Sequence, residues 1–501
     1  MGKKDREVED IRGKFPDPED SNVVYNPSEE ELRRFSSDLE RTTEYGSPSY
    51  VSDYRSRESD KTRNSIDHGL SDENLENMDM ALEIAGSREM VCIDRKVGRG
   101  SENTYVGRYF VPKEYARIAL SLSNLVETAE GEPDFYTLQL PDWEKGTEID
   151  VDVETGSTAV LGSDYTGEAK KSFLRLFMRR AKEKGGLGLH AGSKRVMIEK
   201  DEGIEEVGQV YMGLSGTGKT TLTGHGLWLE EPENAEMLQD DVCALMPDGS
   251  VHGSEGRGMY IKTLGLDPEE QPELYRAATS GDAVLENVKV GKDGEVDFHD
   301  DSISRNGRAA VLREDVGAAD DINLDSVDQF FFITRNPLMP PVSKLSYDQA
   351  AVAFMLGESI ESGAGDPDSI GEPVRVVGFN PFIIGSEGEE GNRFPDLMEE
   401  TDAEAYMLNT GTIGGDDGRD IGVGETIEII RNITRGDVDW EEDEKLGFSV
   451  PERIGDMYIE DLDPRIHVDD FERKIEELRE EREEYLKNFD DLDSSIVDAC
   501  Y

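Results

Sequence analysis

Positive charge is scarce in this chain. Against 112 Asp and Glu it carries 54 Lys and Arg, a formal net charge of −58. No cation surplus is available to release counterions from a nucleic-acid backbone, and an anionic membrane surface would repel the chain. Lysine is the rarer cation, 21 against 33 arginines, as expected where long apolar stems are kept off an acidic surface. Cysteine is nearly absent. Cys92, Cys243 and Cys500 stand far apart, which excludes a CxxC metal pair and a disulfide framework and fits a reducing cytoplasm. No stretch approaches the roughly 18 apolar residues of a membrane span. The charged opening MGKKDREVEDIRGKF has no apolar run behind it and does not read as a secretory signal. Arg6 sits where a myristoylation pattern requires Ser or Thr.

What remains is 36 % apolar and 33 % charged. That balance suits either disorder or a folded body coated in carboxylates, whose self-repulsion is screened once molar salt cuts the Debye length to about 3 Å. The expectation is a cytoplasmic, salt-adapted protein with no nucleic-acid or membrane partner, a monomer or small homo-oligomer.

Residues 1–80 are polar and weakly periodic, and predict a partly ordered arm with short helices near Ser28 to Leu39. From Met90 the apolar content rises. VCIDRKV and YVGRYFVP read as strands, YARIALSLSNLVETA as an amphipathic helix, and Phe173, Leu174, Phe177 and Met178 recur at helical spacing. Further on, VGQVYMG, VDQFFFITRN and PVRVVGFNPFII read as extended, LSYDQAAVAFMLGESI and GETIEIIRNIT as helices, and DDFERKIEELREEREEYLKNF as one amphipathic helix. The pattern predicts a mixed α/β (α+β) fold.

The strongest motif is Gly213-Leu214-Ser215-Gly216-Thr217-Gly218-Lys219-Thr220, followed by Thr221. It fits GxxxxGK[ST] between a strand and a helical run. Glycines let successive backbone N–H groups face one anion, Lys219 brings a point charge to the outer phosphates, and the Thr220 hydroxyl can ligate the nucleotide's magnesium. About twenty residues later Asp240-Asp241 ends an apolar run, a natural second contact for a metal–nucleotide complex.

These residues resemble the ATP-dependent phosphoenolpyruvate carboxykinase family. The likeness rests on GLSGTGKTTL, on YTGEAKK with His190 nineteen residues after Lys171, and on QDD, YIKT, LENVKV, NGR, PPVSKL, LNTG, GETIEII and LDPR, in the family's order over about residues 160–490. It implies a gluconeogenic lyase that converts oxaloacetate and ATP to phosphoenolpyruvate, ADP and CO2 with Mn2+ and Mg2+. It also implies two lobes, a mixed-sheet substrate-binding domain over 81–188 and a nucleotide-binding domain over 189–501, with a segment near 300–315 returning to the cleft. Lys171, His190 and Asp241 would hold manganese, with Lys171 bound as the neutral amine, a state favoured by burial, the dication and neighbouring Lys170. Residues Gly213 to Thr221 would hold the phosphates, and Lys219 would neutralise the β–γ bridge. Thr220 would ligate magnesium, and Asp240 would orient its water. Lys262 and Arg308 would meet the transferred phosphate, Arg419 and Thr426 the base and ribose, and Tyr165 the substrate pocket.

The chain departs from the family at several points. The arginine for the oxaloacetate carboxylate has Arg99 as its best candidate and Arg108 as a rival. The acid pair is followed by Val-Cys-Ala-Leu, EGRGMY has an extra residue, Gln271-Pro272-Glu273 replaces Glu-Pro-Glu, and NTGTIGGDDGRD is altered. Two other readings are a nucleotide-sensing module without catalysis and a phosphate-loop protein-serine kinase.

Overall fold

The computed structural model describes residues 11–54, 59–200, 203–269, 271–360, 372–415 and 418–501. The extreme N-terminus with Arg6, and Asp416-Asp417 of the altered loop, lie outside the described residues. The chain forms two compact units, one of residues 1–177 and 255–316, the other of residues 178–254 and 317–501. This division differs from the expected one. The first boundary falls inside the helix Thr166–Glu183, and 255–316, with the segment 300–315, groups with the N-terminal residues.

Among the described residues the first unit holds two larger sheets and a two-stranded pair, Lys289–Val290 with Val296–Asp297. One runs in the order Val23–Tyr25, Met90–Val97, Tyr105–Pro112, Phe135–Leu140, Ser157–Leu161, Glu148–Asp152, Thr62–Asn64. Both of its edge strands come from the stretch read as a polar arm, so that stretch is woven into the sheet rather than appended to it. The expected helix does start there: Ser28 caps Glu29–Phe35 in a reciprocal box with Glu31. The second sheet is ordered Gly258–Lys262, Arg308–Leu312, Val284–Glu286, Pro48–Tyr50, Arg41–Thr42.

The helix Ala116–Leu125 contacts strands of both sheets. All ten of its residues are buried, which corrects the amphipathic reading. Its polar positions are satisfied inside: Arg117 pairs with Asp164 at 2.6 Å and Glu286 at 3.2 Å, and Asn124 donates to the carbonyls of Asp282 and Ala310.

The second unit is built on an eight-stranded sheet ordered Asn234–Gln239, Ala191–Lys200, Gly203–Gly213, Gln329–Thr334, Glu404–Asn409, Val342–Leu345, Phe448–Ile454, Val438–Asp443. Gly203–Gly213, Gln329–Thr334 and Glu404–Asn409 are parallel to one another. Both sheet faces are covered, which is why the middle strand reads FFFI without alternation. Phe330 and Phe332 pack with the wholly buried helix run Ala350–Leu356, while Phe331 packs on the other face with Ile427, Ile430 and Ile433 of Val423–Arg435. The segment read as PVRVVGFNPFII is extended only over Pro373–Arg375 and then turns into a 3-10 helix at Val377–Phe379. The C-terminal helix forms over Phe471–Leu486, but its buried face includes Arg482, which donates to Glu358.

In the first unit Glu148 and Asp150 lie two apart on one strand and share the Asn74 amide, at 2.6 and 3.1 Å. Burial, and then the neighbouring Glu148 carboxyl, push Asp150 well above the ordinary aspartate range. Its folded state therefore holds a proton that the unfolded chain releases near pH 4, so stability falls as pH rises above that value. Asp150→Asn should remove about 1–3 kcal/mol of that loss and flatten the melting temperature between pH 5 and pH 8. An unchanged pH slope in calorimetry would refute this.

Candidate active site

In the second unit the phosphate loop leaves the C-terminal end of the buried parallel strand Gly203–Gly213 and enters the helix Lys219–Gly224. Gly216 and Gly218 have φ of +84° and +100°, a backbone that L side chains rarely adopt, and this bends the chain back under its own amides. The Thr217 hydroxyl donates to the Leu214 carbonyl at 2.8 Å and closes the turn. Thr410 donates to the Thr217 carbonyl from the end of a neighbouring parallel strand, also at 2.8 Å. Ser215 and Gly216 are exposed at the tip, and Lys219, Thr220 and Thr221 are half-buried at the helix start.

Asp240 and Asp241 follow directly on the strand Asn234–Gln239, Asp240 buried and Asp241 half-buried. The charges of Lys219 and Asp241 both act on the Cys243 thiol, which burial pushes up to about 12, so loop lysine and acid share one neighbourhood. His190 precedes the strand Ala191–Lys200 and places Nε2 2.9 Å from Asp241 Oδ1. Its Nδ1 lies 2.7 Å from the Phe379 carbonyl. A ring that donates Nδ1–H to that carbonyl turns the lone pair of Nε2 toward a carboxylate, an arrangement that calls for a proton or a cation between them. A nitrogen and an oxygen donor therefore converge as a divalent ion would require. Among the described residues no three His, Cys, Asp or Glu side chains cluster for a metal, and the expected third ligand is a lysine.

The first unit holds the other expected residues. Lys262 and Arg308 are direct cross-strand partners, and Glu286 flanks Arg308 on the opposite side. The Arg308 guanidinium lies 5.5 Å from the ring centre of Tyr260, whose hydroxyl donates to Glu286. Tyr165 is buried 6.2 Å from Tyr260, centre to centre, and its hydroxyl accepts from Asn306 at 3.2 Å. Lys171 is half-buried on the helix Thr166–Glu183, and adjacent Lys170 is buried against Glu255 at 2.9 Å.

The two rival arginines have different partners. Arg108 forms a two-point pair with Asp94, at 2.8 and 2.7 Å. Arg99 follows the strand Met90–Val97, partly exposed, within 2.9 Å of Glu127. Arg419 pairs with Glu425 and, at 3.1 Å, with Asp461, while buried Thr426 bonds back to the Gly422 carbonyl at 3.3 Å. Sequence reasoning assigned no role to Tyr260, Glu286 and Asn306, although all three lie in the quoted motifs YIKT, LENVKV and NGR. The Phe379 carbonyl carried no local signal at all.

Comparison with known proteins adds the lineage. The phosphoenolpyruvate carboxykinase family model matches residues 48–460. This chain belongs to that family. It is 35 % identical to the phosphoenolpyruvate carboxykinase (ATP) of Aeropyrum pernix over 478 residues, covering 93 % of this chain and 95 % of that protein. It is 30 % identical to phosphoenolpyruvate carboxykinase (ATP) 2 of Salinibacter ruber over 378 residues, covering 70 % of this chain and 67 % of that one. A glycosomal enzyme of the same name from Trypanosoma brucei brucei is 27 % identical over 377 residues, 70 % of this chain and 76 % of its own. The ATP-dependent carboxy-lyase activity and mixed α/β fold expected from the motifs are those of the family, which uses divalent metal ions. Among the described residues no helix is long and apolar enough to cross a membrane.

Lys219→Met should lower kcat by about 10²–10³, the scale for losing one preorganised charge partner of a transition state, and leave the melting temperature within about 2 °C because methionine keeps the half-buried apolar stem. A kcat within tenfold of the unaltered enzyme would remove Lys219 from the chemistry.

Proposed function

We propose that this phosphoenolpyruvate carboxykinase binds ATP with the second unit's loop and acids and oxaloacetate with the first unit's cationic and tyrosine residues. The observation that carries the reading is the His190–Asp241 contact at 2.9 Å beside a phosphate loop, a donor pair that a simple nucleotide sensor has no need of. Loop amides, Ser215, Lys219 and Thr220 position the phosphates. Lys171, His190 and Asp241 would hold manganese, and Thr220 with Asp240 would hold magnesium through direct and water contacts. Mixed nitrogen and oxygen donors suit Mn2+. When bound, the ions supply neutralising charge for the enolate and for the phosphates.

Arg99 takes the substrate carboxylate and Tyr165 lines its pocket. Carbon–carbon cleavage releases CO2 and leaves the electron pair on the pyruvate enolate. Lys262 and Arg308 hold that oxygen and the γ-phosphate in line. The enolate oxygen then bonds to the γ-phosphorus as the bond to the β–γ bridging oxygen breaks, and Lys219 meets the charge that moves onto ADP. Excluding water keeps the enolate from taking a proton. The −58 charge supports optimal activity in molar salt, where carboxylate repulsion is screened.

The test is ATP- and Mn2+-dependent conversion of oxaloacetate in molar KCl. ADP and phosphoenolpyruvate should appear one for one. ATP binding without turnover would favour a sensor, and a phosphorylated protein with no phosphoenolpyruvate would favour the protein kinase. Arg99→Ala should raise the oxaloacetate KM at least tenfold, a change of about 1.4 kcal/mol, with the ATP KM unchanged. An unmoved oxaloacetate KM refutes that assignment.

A further inference from the structure

Lys194 is wholly buried in the middle of the strand Ala191–Lys200. It lies opposite Gln209 on the strand that leads into the phosphate loop and opposite Met237 on the strand that leads into Asp240 and Asp241. Its ammonium donates to the carbonyls of Leu222 and, at 2.7 Å, His225, both at the C-terminal end of the short helix that begins with Lys219. The Tyr211 ring lies 5.4 Å away. Among the described residues no carboxylate meets this ammonium.

Burial with no counter-ion is costly and pulls the Lys194 amine down to about 7, and a carbonyl at a helix end needs a donor but not a charge. The placement therefore calls for a purpose beyond filling. Two residues earlier on the same strand face, Gly192 supports the same helix. A Cβ there would come within 2.4 Å of the Thr223 hydroxyl oxygen, and that hydroxyl is itself bonded to the Lys219 carbonyl at 2.8 Å. Gly192 sets how close the helix comes, and Lys194 holds its far end. His190 lies at the head of the same strand.

We propose that Lys194 is a positioning residue for phosphoryl transfer. It anchors the C-terminal carbonyls of the loop helix to the strand headed by His190 and so fixes where Lys219 and Thr220 meet the phosphates. The helix Lys219–Gly224 is only six residues long, and in-line transfer is sensitive to displacements of about 1 Å, which can cost 10²-fold in rate. The proposal rests on the phosphate-loop reading given above.

Lys194→Met keeps the apolar stem and removes donor and charge, and Lys194→Gln keeps a donor. In the full-length enzyme, Lys194→Met should lower kcat at least tenfold and raise the ATP KM, with the oxaloacetate KM within twofold and the melting temperature unchanged or higher. Lys194→Gln should recover at least half of the lost kcat on a logarithmic scale. The proposal is overturned if kcat and ATP KM both stay within twofold in Lys194→Met. It is equally overturned if activity falls only in step with melting temperature in both variants. Lys219→Met measured alongside separates the two claims. A full-rate Lys219→Met defeats the loop reading itself, whereas a slow Lys219→Met beside a full-rate Lys194→Met defeats the positioning role alone.

Discussion

The close approach between the strand Ala191–Lys200 and the helix Lys219–Gly224 is the constraint on which the nucleotide half depends. That strand is hydrogen-bonded to the strand before the phosphate loop and to the strand before the acid pair. Its first residue follows His190. Three chemical groups are therefore referenced to one backbone: the loop lysine, the acids and the imidazole. Gly192 lets the helix settle onto that backbone, since a side chain there would meet Thr223. The parallel strands behind it are buried on both faces by aromatic and aliphatic packing. A densely packed support of this kind resists small shifts, and phosphoryl transfer needs that resistance.

Charge shortage shapes the rest. With 54 cations against 112 carboxylates, a buried cation marks a place where the fold needs one. Arg482 is held by Glu358, a carboxyl kept down at about 2 against its burial chiefly by the Arg482 charge, with Arg375 adding to it. Arg117 joins the central helix of the first unit to Asp164 and Glu286. Glu286 in turn takes the Tyr260 hydroxyl, and Tyr260 lies beneath the Arg308 guanidinium. The site arginine thus rests on an aromatic ring whose position is fixed by a carboxylate, which is fixed by a second arginine. Such a chain keeps the cation oriented without using its charge directly.

Local features were legible in the sequence. The phosphate loop and the acid pair each occupy a few consecutive residues, and the structure finds them at the ends of strands. The one-sided pattern expected of residues 116–125 failed because Arg117 and Asn124 look like solvent-facing residues until their partners, 40 or more positions away, are known. The partners of Arg99 and Arg108 were likewise illegible. Asp94, a buried carboxylate, takes both arms of Arg108 across a strand pair, and Glu127 meets Arg99. The N-terminal stretch misled by composition. Its strands are two or three residues long, too short to show periodicity, and Val23–Tyr25 and Thr62–Asn64 join strands far away in the chain.

His190 shows where sequence and structure supply different halves of one argument. Sequence isolates it as one of six histidines at a fixed spacing from Lys171. It says nothing of the Phe379 carbonyl, 189 residues on, that holds Nδ1. Yet that contact selects the tautomer, and the tautomer decides whether the nitrogen facing Asp241 brings a lone pair or a proton. With Nδ1–H committed to the carbonyl, Nε2 faces an anionic oxygen of Asp241 2.9 Å away. A proton on Nε2 or a cation beside both atoms makes that approach favourable. The backbone carbonyl, by engaging Nδ1, fixes which ring nitrogen is turned toward Asp241.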